Sequence, residues 1–109
     1  MAGSLTTHVL DTARGHGAGL MRVALRRLAP EPALLAEVVL DAGGRAGLLD
    51  GAALIPGVYE LLFEVGKYYG SAAGFLDQVP VRFRVGDAGA HYHIPLIVSP
   101  FGYSTYRGG

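Results

Sequence analysis

Cysteine and tryptophan are absent from this 109-residue chain, and lysine occurs once. Without cysteine there is no disulfide framework, no thiolate nucleophile and no cysteine-based zinc site, a composition compatible with a reducing compartment. Charge of one sign has no majority either, since nine Lys and Arg balance nine Asp and Glu. No basic field is therefore available to gather nucleic acid or an anionic membrane surface. Long apolar runs are missing too: no stretch reaches the roughly 18 to 20 residues of a spanning helix. The opening MAGSLTTHVLD has neither a basic nor an apolar leader region. We expect a soluble, cytoplasmic protein without nucleic-acid or membrane partners.

What the chain does have is half its residues hydrophobic and no change of compositional regime, so residues 1–109 are expected to form one domain around a single core. The dominant period is two. Met21, Val23 and Leu25 alternate with Arg22, Ala24 and Arg26, and Tyr59, Leu61, Phe63 and Val65 alternate with Glu60, Leu62 and Glu64. Val79, Val81, Phe83 and Val85 likewise alternate with Pro80, Arg82 and Arg84. Such alternation marks half-buried strands. Turn signals separate them: GHGAG, APEP, DAGGRAG, IPG, GDAGA and SPFG. The spacing predicts strands near 5–11, 20–28, 33–41, 44–48, 57–65, 79–86, 91–98 and 102–107. A short helix is predicted near 66–74, where alternation lapses. The fold class is all-β, a sandwich or barrel.

Chemistry-bearing residues fall on two of these strands. In HYHIPLIVSP, His91, His93, Pro95 and Ile97 share one face, while Tyr92, Ile94, Leu96 and Val98 make a core face. In LTTHVLD, His8 shares a face with Thr6 and Leu10, opposite Leu5, Thr7 and Val9. Either histidine alone reads as a surface or structural imidazole. If the two strands are neighbours, or meet across a subunit contact, the pair forms an acid and a base near neutral pH. A zinc site from His91, His93 and His8 is the competing reading, but no HExxH pattern accompanies it. Arg45, in DAGGRAG, is either solvated or a guanidinium fork for a planar oxyanion. A serine hydrolase built from Ser99, Ser104 or Thr105 with Asp11 or Asp87 lacks the GxSxG elbow. His16 is expected to be exposed in its Gly-rich loop, Tyr103 and Ser104 to pack at an interface, and Asp11 to end its strand with a turn-type hydrogen bond.

Four segments in order, LTTHVLDTARG, GGR, HYHIPLIVSPFGYS and the final TYRGG, resemble the 5-hydroxyisourate hydrolases, the enzymatic branch of the transthyretin-like family. LIPGVYELLFEVGKYY and VPVRFRVGDAGAHYH extend the likeness over essentially the whole chain. The resemblance implies a transthyretin-like β-sandwich of two four-stranded sheets with one short helix, assembled as a homotetramer, a dimer of dimers. Its sites would lie in the channel between dimers. It implies hydrolysis of 5-hydroxyisourate to 2-oxo-4-hydroxy-4-carboxy-5-ureidoimidazoline in urate degradation, without metal or organic cofactor. His8, Arg45 and His93 fall on the family's catalytic positions; Tyr106 and Arg107 match its terminal Tyr-Arg-Gly-Ser, as substrate-binding residues. His91 matches the pattern but is not counted as catalytic. The one departure is Gly109 where the motif ends in serine. The alternative is a non-catalytic, transthyretin-like protein that binds a small ligand in the same channel.

Overall fold

Period-two alternation becomes nine strands in the structure, a computed structural model that describes residues 3–50 and 53–109. In chain order they are β1 (Ser4–Asp11), β2 (His16–Gly17), β3 (Arg22–Ala29), β4 (Ala33–Val39), β5 (Arg45–Asp50), β6 (Gly57–Glu64), β7 (Gln78–Val85), β8 (His91–Ser99) and β9 (Gly102–Thr105). A single helical turn, α1 (Val65–Tyr69), continues into a 3-10 turn at Gly70–Ala72 and links β6 to β7.

The strands form two facing sheets. One runs β4-β3-β6-β7, all antiparallel. The other is centred on β1, which pairs in parallel with β8 on one side and antiparallel with β5 and β2 on the other, β9 closing the far edge of β8. This sheet therefore has five strands rather than the expected four. The extra one, His16–Gly17, pairs only with Leu10 and Asp11 and extends the edge that β5 leaves free.

Between the sheets lie the residues that alternation sent inward. Leu5, Val9 and Leu96 from one sheet meet Leu25, Tyr59, Leu61 and Phe63 from the other, all fully buried. Burying each such side chain contributes about 1.5–3 kcal/mol, so these alternating positions hold the sandwich closed. Thr7, buried among them, donates its hydroxyl to the Ile94 carbonyl at 2.7 Å, so its polar atom costs nothing unpaid. Asp11 is also buried, and its Oδ1 accepts from the amides of Ala13 and Arg14, the expected turn. The Tyr69 hydroxyl donates to the same oxygen and Tyr68 donates to Oδ2, tying α1 to the end of β1.

The helix is shorter than predicted because Gly70 turns the chain with φ of 58°. β9 ends at Thr105, where the expected strand continued to residue 107. Beyond it a lone bridge joins Gly108 to His93. Among the described residues no helix is long and apolar enough to cross a membrane.

Candidate active site

Because Leu5, Thr7 and Val9 point into the core, Thr6 and His8 must point out of β1, and His93 leaves β8 on the same side. The pairing then brings them together. Thr6 stands opposite His93 across the parallel β1/β8 ladder, and His8 stands opposite Arg45 across the antiparallel β1/β5 ladder. Residues opposed across a ladder share a face. His8, Arg45 and His93 thus occupy one outer patch at the centre of the five-stranded sheet.

The GGR segment explains how the arginine gets there. Asp41 Oδ1 accepts from the amides of Gly43 and Arg45, each at 2.9 Å, closing the turn that starts β5. Gly44 has φ of 81°, and a Cβ there would lie 2.5 Å from the Val9 carbonyl oxygen, so only glycine passes this close to β1. The turn also aims the Gly43 carbonyl at His8 Nε2, 3.1 Å away. A carbonyl only accepts, so a neutral His8 carries its proton on Nε2 and offers Nδ1. Arg45 is exposed, and among the described residues its guanidinium has no hydrogen-bond or ion-pair partner.

His93 is half-buried. Its Nδ1 lies 2.8 Å from the Thr6 hydroxyl, and its main-chain carbonyl accepts from Gly108 at 2.7 Å. Burial first, then the nearby His91, His8 and Arg45, hold its imidazole below the ordinary histidine range, so the neutral form is favoured. His91, one rung away, is exposed and stacks on His93 with ring centroids 6.4 Å apart. Among the described residues no three His, Cys, Asp or Glu side chains are grouped so as to hold a metal ion.

The terminal residues sit elsewhere. Arg107 lays its guanidinium 4.4 Å from the centre of the Tyr92 ring and donates to the His91 carbonyl at 3.2 Å. Tyr106 is exposed and, with Tyr92, Ile94, Val81, Phe83 and Arg107, lines a cleft of about 270 Å³ at the open side of the sandwich. Within one chain, then, His8, Arg45 and His93 converge, whereas Tyr106 and Arg107 flank them around the edge of β8. Gly108 of the tail lies against the His93 ring: a Cβ on it would lie 2.6 Å from His93 Cδ2. His16 is exposed, as expected, and its ring turns back onto the Gly17 carbonyl.

Sequence reasoning missed Thr6, Ser4 and the Gly43 carbonyl as partners of the histidines. Their signal lay in register, since Thr6 and His8 share a face, but which histidine each hydroxyl meets needs the pairing itself.

Residues 5–108 match the model of the HIUase/Transthyretin family. The chain is 46% identical over 116 residues to 5-hydroxyisourate hydrolase 2 of Rhizobium meliloti, covering 98% of this chain and 97% of that one. Among solved structures, it superposes on the 5-hydroxyisourate hydrolase of Klebsiella pneumoniae with a TM-score of 0.84 at 34% identity, both chains being covered completely. Sea bream transthyretin in complex with thyroxine gives a TM-score of 0.88 at 25% identity over 95% of this chain and 93% of that one. It also matches (S)-allantoin synthase at a TM-score of 0.92 and 41% identity, covering 98% of this chain but 44% of that longer one.

Proposed function

The chain belongs to the HIUase/transthyretin family, and from that membership we propose that residues 1–109 form one domain that hydrolyses 5-hydroxyisourate in urate degradation. The observation that carries the chemistry is the outer patch, where β1, β5 and β8 bring two imidazoles and a guanidinium to one face.

The roles follow from the groups. A neutral imidazole, from His8 or His93, takes a proton from water, which attacks the ring carbonyl of 5-hydroxyisourate. The tetrahedral intermediate collapses with cleavage of the adjacent C-N bond, and the other imidazole orients the water or protonates the leaving nitrogen. Arg45 holds the substrate's oxygens and offsets the charge that develops on them. The reaction needs no electron transfer, and the product is 2-oxo-4-hydroxy-4-carboxy-5-ureidoimidazoline. Tyr106 and Arg107 serve as substrate-binding residues. Arg107 does so from a neighbouring subunit or after leaving its seat on Tyr92.

An outward-facing site on a flat sheet has no walls of its own. Shelter from water comes from assembly as a homotetramer, a dimer of dimers whose channel is lined by this face. A cytoplasmic setting is part of this proposal; among the described residues no helix is long and apolar enough to cross a membrane. The test is to generate 5-hydroxyisourate in situ from urate with urate oxidase and follow its absorbance. The protein should speed the decay, and specific activity should collapse on dilution to dimers. Decay at the spontaneous rate by a folded tetramer would leave a binding protein instead.

A further inference from the structure

Two hydroxyl-imidazole pairs stand on successive rungs of the β1/β8 ladder. Ser4 is opposite His91 and Thr6 is opposite His93, all on the outer face. Ser4 Oγ touches His91 Nδ1. Thr6 Oγ1 lies 3.4 Å from His91 Nε2 and 2.8 Å from His93 Nδ1. The two rings are nearly parallel, 12° apart. From Ser4 to His93 the contacts therefore alternate strictly between hydroxyl and ring nitrogen.

A hydroxyl donates once and accepts, and a neutral imidazole has one N–H and one lone pair. Such a chain has two self-consistent directions. In the first, His93 donates Nδ1–H to Thr6, Thr6 donates to His91 Nε2, and His91 donates Nδ1–H to Ser4; His93 Nε2 is then a bare acceptor. In the second every bond is reversed, and His93 Nε2 carries a proton.

We infer that Ser4, His91, Thr6 and His93 form a proton relay that lets the His93 ring act first as a base and then as an acid. The inference rests on the hydrolase reading above. The water's proton bonds to His93 Nε2 as its oxygen attacks the carbonyl. The Nδ1 proton passes to Thr6 Oγ1, the Thr6 hydroxyl proton to His91 Nε2, the His91 Nδ1 proton to Ser4 Oγ, and the Ser4 proton to solvent. One proton has entered and one has left, both rings end neutral, and His93 Nε2–H faces the leaving nitrogen. Returning the ring to its first state takes a proton from solvent back along the same chain.

The environment favours this route over a lasting imidazolium. Burial first, then the nearby His91, His8 and Arg45, disfavour positive charge on the half-buried His93, whereas His91 itself is exposed at the end of the ladder. Thr6 and Ser4 are thus positioning and relaying residues, and His91 acquires a role that its place outside the catalytic set does not suggest.

The test compares wild type with Thr6→Val, Thr6→Ser and His91→Phe for kcat and KM on 5-hydroxyisourate, with proton inventories in mixtures of light and heavy water. Valine keeps the shape and strand preference of threonine without the hydroxyl, and circular dichroism checks that each variant folds. Thr6→Val and His91→Phe should each lower kcat by roughly tenfold or more, as loss of an acid-base path does. KM should change little, and Thr6→Ser should restore most of the rate. The wild-type inventory should be bowed, with more than one proton in flight, and that of His91→Phe linear. Wild-type kcat in His91→Phe, or a linear wild-type inventory, overturns the relay while leaving the hydrolase intact. Absence of any catalysed decay by wild type overturns both.

Discussion

Replacing Gly108 by alanine adds a single methyl at the point where the tail meets the candidate base. That carbon would lie 2.6 Å from His93 Cδ2, 3.2 Å from Cγ and 3.3 Å from Cβ. Carbon atoms settle at about 3.5–4.0 Å, so ring or tail must retreat by about 1 Å. The ring is held by Thr6 at 2.8 Å on Nδ1, and moving it displaces the imidazole from its reacting position. A misplacement of about 1 Å can cost on the order of 10²-fold in rate. If the tail yields instead, it loses the 2.7 Å bond from the Gly108 amide to the His93 carbonyl, about 0.5–1.5 kcal/mol, and unseats Arg107 beside it. Displacement of the ring should lower kcat/KM for 5-hydroxyisourate by up to about 100-fold, and loss of the tail's hydrogen bond alone by about two- to tenfold. The melting temperature should fall by no more than several degrees, because Gly108 lies outside the buried core and one tail hydrogen bond is the most that is lost. Gly109→Ala is the internal control, since a Cβ there meets nothing within 4 Å. Undiminished turnover in Gly108→Ala, or equal loss in Gly109→Ala, would refute the placement of the tail against His93.

Other perturbations read different parts of the site. The His93 imidazole is held below its ordinary 6.5 by burial first and then by His91, His8 and Arg45, so it stays neutral to lower pH. If it is the base, the acid limb of kcat/KM should fall below pH 6.5; a limb at or above that value contradicts the assignment. Arg45→Lys keeps the charge but loses the planar fork, and should weaken substrate binding by roughly tenfold, seen in KM. Asp11→Asn should cost about 1–3 kcal/mol of unfolding free energy, read from urea titration, because the amide cannot accept all the bonds the buried carboxylate does. Burial pushes the Asp11 pKa up, but hydrogen bonds from Tyr68, Tyr69 and the Arg14 amide, with the Arg14 charge, bring it below 3.8. Its stabilising contribution is therefore complete above the unfolded-state value and is lost as pH falls through the folded one, in the acid range.

Much of the sandwich was legible because period two is a local property. Strand faces such as Val23/Leu25 and Tyr59/Leu61/Phe63 turn inward as their alternation required. Boundaries failed where a single backbone angle decided them, as at Gly70, or where pairing partners decided them, as at β2. The residues of the candidate site were nameable in advance, but their juxtaposition was not. That Arg45 faces His8, and Thr6 faces His93, depends on which strands adjoin β1, and pairings so distant along the chain leave no trace in local periodicity. The seat of Arg107 on Tyr92 was equally invisible, since Tyr92 is a core-face residue whose edge emerges only at the side of the sandwich.

We assign the ring opening to the outer patch of His8, Arg45 and His93. The most direct measurement is the turnover of 5-hydroxyisourate by the His8→Ala and His93→Ala variants against wild type, with folding and oligomeric state compared for each. Each loss should lower kcat by about 10²-fold or more while the fold and oligomeric state match wild type, the scale expected for a positioned acid or base. Turnover at the wild-type rate in either variant would contradict the claim and move the chemistry to another surface of the molecule.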